Sequence, residues 1–160
     1  MKRITAILLA LGLLVLPCLA AEATVQSVDI GGTAVELSMY TVYNEWGFAT
    51  NYVKLRDVGW CLKDTPKKFQ VDYDGSTRVD TGLDYQSDGT EMTPLPGGAT
   101  AVEYRAVVTV DGVGHPMDAY LITPPGSDGG NFYFKLRDLG AAIGFGVGWS
   151  AERGVYIETE

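Results

Sequence analysis

The sequence predicts an α+β fold: two repeats of a small antiparallel sheet wrapped on one short helix, in the order β-β-β-α-β-β, packed together. Three observations carry the prediction. Asn51-Tyr52-Val53-Lys54-Leu55-Arg56-Asp57-Val58-Gly59 returns as Phe132-Tyr133-Phe134-Lys135-Leu136-Arg137-Asp138-Leu139-Gly140, 81 positions on. Matching flanks lie on both sides of each copy, in the same order, and self-similarity of that kind marks a repeat architecture. Within each copy the spacing of apolar residues changes from the period of a strand to that of a helix.

The first segment, Val25 to Ile30, ends at Gly31-Gly32, and its counterpart Val107 to Val110 ends at Asp111-Gly112. Gly-Gly or Asp-Gly between apolar runs is a hairpin signal, because both turn positions need φ > 0. A second strand follows with Val35, Leu37 and Met39 on one face. After a polar loop comes a short strand at Tyr52-Val53, matched by Phe132 to Phe134. Leu55, Val58, Gly59 and Leu62 then make one helical stripe, as do Leu136, Leu139, Gly140 and Ile143. Each glycine in the stripe costs roughly 1 kcal/mol relative to Ala, offset by close approach of the helix to the sheet. Asp57 and Asp138 fall in the first turn, at the positive end of the helix dipole, and Gly144 is placed to cap the second helix. Each half closes with a hairpin: Phe69, Val71 and Tyr73 turning at Asp74-Gly75, and Phe145, Val147 and Trp149 turning near Arg153-Gly154. Alternation puts Tyr73 and Trp149 on the faces that pack the helices. The first half carries about five extra residues around Asp64 to Lys68. The repeats span residues 25–85 and 104–160, and residues 86–103 connect them, with Ala99 to Val107 able to supply an added strand.

Residues 1–20 read as a secretory signal peptide. Lys2 and Arg3 precede an uncharged apolar run from Ile4 to Leu16, Pro17 breaks it, and small residues follow. The run is too short to span a bilayer, which takes roughly 20 apolar residues. Cleavage falls after Ala20 or after Ala23. It removes Cys18 and leaves Cys61 alone, so no intramolecular disulfide staples the mature chain.

Composition sets the outer limits. The 160 residues carry a net charge of −8, with 46% hydrophobic and 20% charged residues and 20 glycines. The chain is too apolar to be disordered throughout and too glycine-rich for a helical bundle. It is too acidic for a general nucleic-acid binder, which needs a Lys/Arg surplus against phosphate.

The series of a glycine-turn hairpin, an aromatic, Lys-Leu-Arg-Asp-Leu-Gly, Gly144-Phe145 and Val147-Gly148-Trp149 resembles the copper amine oxidase N-terminal-like domain, or stalk domain, of secreted and cell-wall proteins. The resemblance covers both halves, and the first departs from it through Trp60-Cys61 and the insertion near Pro66. It implies an α+β module and no amine oxidase activity, since the copper and the tyrosine-derived cofactor of those oxidases belong to another domain. Copper also needs a cluster of imidazoles, and this chain has only His115.

Candidate residues follow from the same reading. Arg56, Asp57, Arg137 and Asp138 are a structural motif, because their duplication in the first helical turn is grammar of the fold. Trp60 lies roughly 150° from the centre of its stripe, so either the other half covers it or it meets a ligand. Trp46, in the loop before Asn51, is the second candidate for ligand or partner binding. His115 is a structural or surface residue and Cys61 a packing residue, and neither has a catalytic partner. Asp72-Tyr73-Asp74-Gly75-Ser76 and Ser87-Asp88-Gly89-Thr90-Glu91 lack the full spacing of an EF-hand. No metal, cofactor or catalytic residue is expected.

The sequence therefore predicts a secreted, non-catalytic interaction or structural module of the bacterial cell envelope, with no membrane contact in the mature form. Its expected partner is a cell-wall glycan or another envelope protein. Two other readings are a glycan-binding module using Trp46 and Trp60, and a hydrolase using Asp84, Asp88 and Glu91 of the long connector.

Overall fold

A computed structural model describes residues 19–160. Residues 1–18 of the predicted leader lie outside the described residues, but Leu19 and Ala20 open the first strand. In chain order the elements are β1 (Leu19–Ile30), β2 (Thr33–Tyr43), β3 (Ala49–Lys54), α1 (Leu55–Leu62), β4 (Phe69–Tyr73), β5 (Thr77–Thr81), β6 (Ala99–Val110), β7 (Val113–Thr123), β8 (Asn131–Lys135), α2 (Leu136–Ile143), β9 (Gly146–Ser150) and β10 (Gly154–Glu158). The strand β6 begins inside the 86–103 connector, where an added strand was expected.

The strands form one ten-stranded sheet in the order β4-β5-β6-β7-β8-β3-β2-β1-β10-β9. This corrects the expectation of two small, wholly antiparallel sheets. β10 pairs in parallel with β1, Val28 beside Val155 and Ile30 beside Ile157. β5 pairs in parallel with β6, Thr77 beside Val108 and Val79 beside Val110. Each closing hairpin therefore attaches to the first strand of the other half of the chain. A parallel pair needs a crossover of a dozen or so residues, and the segment between Thr81 and Ala99 supplies it for β5 and β6. Apolar periodicity shows that a segment is a strand and not which strand it joins.

β1 and β6 are long enough to serve two partners each. Leu19 to Ala21 pair with Ala99 to Ala101, which closes β1, β2, β3, β8, β7 and β6 into a ring. Their far ends hold β10 and β5. Two side-chain contacts reinforce those far ends: Arg153 Nε donates to Asp29 at 2.8 Å, and the Thr81 hydroxyl donates to Asp111 at 2.7 Å.

Ring closure creates two cores, one on each face of the strands. On one face Leu37, Met39, Val53 and Phe134 join the helix residues Leu55, Val58, Leu62 and Leu139. On the other, Tyr40, Tyr52, Tyr120 and Tyr133 fill the ring with Val42, Ile122 and the small Ala21, Ala99 and Ala101. Residues 39 and 40 point to opposite faces by the two-residue period of a strand, and both are buried.

Both helices form where the sequence places them. Lys54 and Lys135 are the N-caps, with no side-chain cap bond, and Asp57 and Asp138 lie in the first turns. Gly144 ends α2 in the left-handed region at φ 98, where its N–H and that of Phe145 both donate to Gly140 O. A helix of eight residues is about 12 Å long, so it covers only the first two inward positions of the hairpin behind it. Phe69, Val71 and Phe145 are buried, whereas Tyr73 and Trp149 run past the helix and are 71% and 65% exposed. The expectation that these two aromatics pack the helices is overturned for that reason.

Candidate functional site

The duplicated Arg-Asp pair does the same work at the start of both helices. Arg56 Nη1 donates to Val71 O at 3.0 Å, and Arg137 Nη1 donates to Val147 O at 3.2 Å. Each guanidinium thereby caps a carbonyl of β4 or β9, the two outer strands of the sheet, whose unpaired edges need cover.

The connector treats the two helices differently. Residues 85–92 fold over α1 around Glu91, which accepts from the Tyr85 hydroxyl at 2.7 Å, the Ser87 hydroxyl at 2.7 Å and the Asp88 N–H at 3.1 Å. Arg56 bridges Glu91 at 3.2 Å and Asp88 at 2.9 Å. Burial pushes the Glu91 carboxyl up, but the bonds from Ser87, Tyr85 and the backbone outweigh it and hold the group far below the ordinary carboxylate range. Asp57 is fully buried; it accepts the Met92 N–H at 3.0 Å and meets Lys54 at 3.1 Å. Burial raises the Asp57 carboxyl in spite of these partners.

Trp60 is half-buried. Its ring packs edge-on against Tyr85, with centroids 6.3 Å apart, and Lys63 Nζ lies 4.4 Å over it. Its cover is Tyr85, the last residue of its own half, and not the other half of the chain. A Cβ on Gly59 would come within 2.7 Å of the Tyr85 ring, so that glycine admits Tyr85 as well as the sheet.

Trp46 is 73% exposed and stands beside Phe48, 71% exposed. The turn that presents them is closed from within. Asn44 Oδ1 accepts the N–H of Trp46 at 3.1 Å and of Phe48 at 2.9 Å, while Gly47 N donates to Asn44 O. Tyr43, 46% exposed, adds a third ring at the base. Neighbouring exposed aromatic side chains offer a candidate contact surface. Phe48 lies two residues from Trp46 in the same polar loop, and the signal that marks Trp46 marks it equally.

Two grooves flank the helix starts. One, of about 550 Å³, runs between Arg56, Tyr73, Phe132 and the connector at Asp88 to Pro96. The other, of about 350 Å³, lies between Arg137, Asp138, Val147, Trp149, Val155 and Asn51. The exposed Tyr73 and Trp149 border them. Alternation alone read these aromatics as core; the short helix span was the signal that would have placed them outside.

The remaining candidates have structural partners. Burial pushes the Cys61 thiol up to about 11, and its Sγ lies 3.7 Å from Met92 Sδ. A thiol so shifted is a poor nucleophile at neutral pH. His115 is half-buried on β7 opposite Val108. In the 72–76 turn Asp74 accepts from Ser76 and Arg78. Asp84 pairs with Lys68, whose hydrogen bond holds its carboxyl low. Among the described residues no three His, Cys, Asp or Glu side chains are grouped to hold a metal ion, and no helix is long and apolar enough to cross a membrane.

Comparison with protein-family models, with curated proteins and with solved structures finds no match.

Proposed function

We propose that this protein is a secreted, non-catalytic interaction module of the bacterial cell envelope, built from two stalk-like repeats and working through displayed aromatic side chains. The repeat reading is supported by the element order, which runs β-β-β-α-β-β from β1 to β5 and again from β6 to β10. It is supported too by the matching bonds of Arg56 and Arg137 to the outer strands.

The observation that carries the functional reading is the turn at Asn44 to Phe48. Trp46 and Phe48 contribute no core packing, yet the backbone beneath them is fixed by the Asn44 side chain. A fixed aromatic pair loses little entropy on binding and offers flat faces to the C–H surface of a sugar or the apolar anchor of a protein. The non-catalytic reading rests on what the polar residues do: Glu91 organises a loop, Asp84 pairs with Lys68 and Cys61 is shifted away from reactivity.

The test is sedimentation of the purified protein with isolated Gram-positive cell walls, alongside quenching of Trp fluorescence by soluble peptidoglycan fragments. Replacing both Trp46 and Phe48 with Ala should weaken wall binding by about tenfold, the equivalent of roughly 1.4 kcal/mol, with the melting temperature unchanged. Undiminished wall binding by the double variant overturns the role of the turn. Quenching by the fragments assigns a glycan ligand; wall binding without quenching assigns an envelope protein.

A further inference from the structure

α1 and α2 open with the same Leu-Arg-Asp, and the connector covers only one of them. Over α1, Arg56 holds the strand carbonyl of Val71 and also takes Gln86 O at 3.0 Å, Glu91 at 3.2 Å and Asp88 at 2.9 Å. Beside it Asp57 accepts the Met92 N–H. Over α2, Arg137 makes the matching strand bond to Val147 O and is otherwise exposed. Among the described residues no carboxylate pairs with it and no N–H reaches Asp138. Both side chains line the 350 Å³ groove, with Trp149 at its rim.

We propose that the α2 groove binds an extended acidic peptide segment of a partner protein, in the manner in which the α1 face holds Asp88 to Met92 of this chain. The inference deepens the interaction-module reading and rests on it. The segment's carboxylate would meet Arg137 in a charge-assisted bond, one of its backbone N–H groups would meet Asp138, and an apolar side chain would lie on Val147 and Trp149. The chain as a whole carries −8, so an acidic segment is held against a net repulsion by its local pairing with Arg137. The likeness to α1 has a limit that defines the segment. Tyr85 sits over Gly59, but the space over Gly140 is taken by Phe145 O and Val147, which a Cβ would meet at 2.6 and 3.0 Å. The partner segment therefore corresponds to residues 88–92 and carries no equivalent of Tyr85.

The probe is a labelled peptide of residues 86–95 of this chain, titrated with the intact protein and read by fluorescence anisotropy. Saturable binding is expected. Arg137→Ala, Trp149→Ala and a peptide with Asn and Gln for its two acids should each weaken it by about tenfold, the scale of one charge-assisted or anchoring contact. Arg56→Ala should leave it unchanged. Trp149 is exposed, so its variant keeps the fold even if Arg137→Ala does not. No binding up to about 1 mM, the weak end of specific recognition, overturns the proposal. So does binding lost with Arg56→Ala and kept with Arg137→Ala, which would mean displacement of the connector. A dimer that dissolves in Trp149→Ala without peptide binding assigns the groove to a second copy and overturns it as well. Wall binding through Trp46 and Phe48 is measured separately, so failure of the groove and failure of the envelope reading are told apart.

Discussion

Tyr40 and Tyr133 meet edge to face, with ring centroids 5.1 Å apart and planes at 77°, and Tyr52 and Tyr120 repeat the arrangement at 4.8 Å and 85°. Each contact joins a strand of one half of the chain to a strand of the other, inside the closed ring. Tyr40 also donates its hydroxyl to Pro96 O at 2.9 Å and so ties the connector to the ring. Tyr133→Ala should cost about 3–5 kcal/mol, the range for deleting a buried aromatic. A double-mutant cycle of Tyr40→Leu and Tyr133→Leu should show a coupling of about 0.5–1.5 kcal/mol, measured by urea unfolding.

The two stripe glycines should differ under the same substitution. Gly140→Ala drives a Cβ to 2.6 Å from a backbone oxygen, whereas Gly59→Ala meets the ring of Tyr85 at 2.7 Å. A side chain in a loop moves more readily than a backbone carbonyl. Gly140→Ala should therefore destabilise by about 1–3 kcal/mol, as overpacking does, and Gly59→Ala by less. Gly59→Ala alone should displace Tyr85 from Trp60, read as a change in Trp emission.

The pH dependence of stability has two opposed sources. Glu91 is held far below its ordinary 4.5, so the unfolded chain takes that proton first. The stability it supplies is present above about pH 4.5 and is lost as the pH falls. Asp57 is raised above its ordinary 3.8 by burial, so the folded chain takes that proton first, and stability declines as the pH rises from about 3.8 through the folded value. Glu91→Gln should flatten the acid limb and cost about 1–3 kcal/mol at pH 7, since Arg56 keeps Asp88 and the carbonyls of Val71 and Gln86 while the loop donors lose their charged acceptor. Asp57→Asn should remove the decline on the rising limb. Urea midpoints between about pH 2.5 and 7 check both.

Cys61 should resist alkylation. With the thiol raised to about 11 from 9.0, the thiolate fraction at pH 8 is about a hundredfold lower than for a free thiol. Iodoacetamide should label the folded protein correspondingly more slowly than the urea-unfolded one. Equal rates would show that Cys61 is not packed against Met92.

On the proposed secretory reading, the leader should be cut after Ala20. Ala21 is buried in the ring and pairs with Ala99, and the Glu22 carboxylate accepts the Tyr43 hydroxyl. Cutting after Ala20 removes the pairings of Leu19 and Ala20 but keeps those of Ala21 and Glu22, whereas cutting after Ala23 removes all of them. N-terminal sequencing of secreted protein should begin at Ala21, and a chain starting at Thr24 should melt at a lower temperature.

What the sequence disclosed and what it withheld divide on physical grounds. The helix stripes, the Gly144 cap and the glycine turns are local, and periodicity or backbone geometry shows them directly. Tyr40 and Tyr120 as core were not legible. They lie on the opposite strand face from Met39 and Met117, and only ring closure buries that face. The reciprocal attachment of β5 to β6 and β10 to β1 was hidden because alternation gives no partner. Among the site residues, Trp46 was legible as an aromatic in a polar loop. Trp149 was misread because its strand alternates correctly and the helix simply ends too soon to cover it.

Arg153 reaches Asp29 across 124 positions of chain, so β10 can join β1 only after nearly the whole chain is in place. Such distant pairing makes assembly a slow search. Until it is complete, the outer edge of Val28 to Ile30 stays bare, inviting contact with other molecules in the same unfinished state. The interlock that resists unravelling once formed is thus also the stage at which this chain depends most on dilution or on a chaperone.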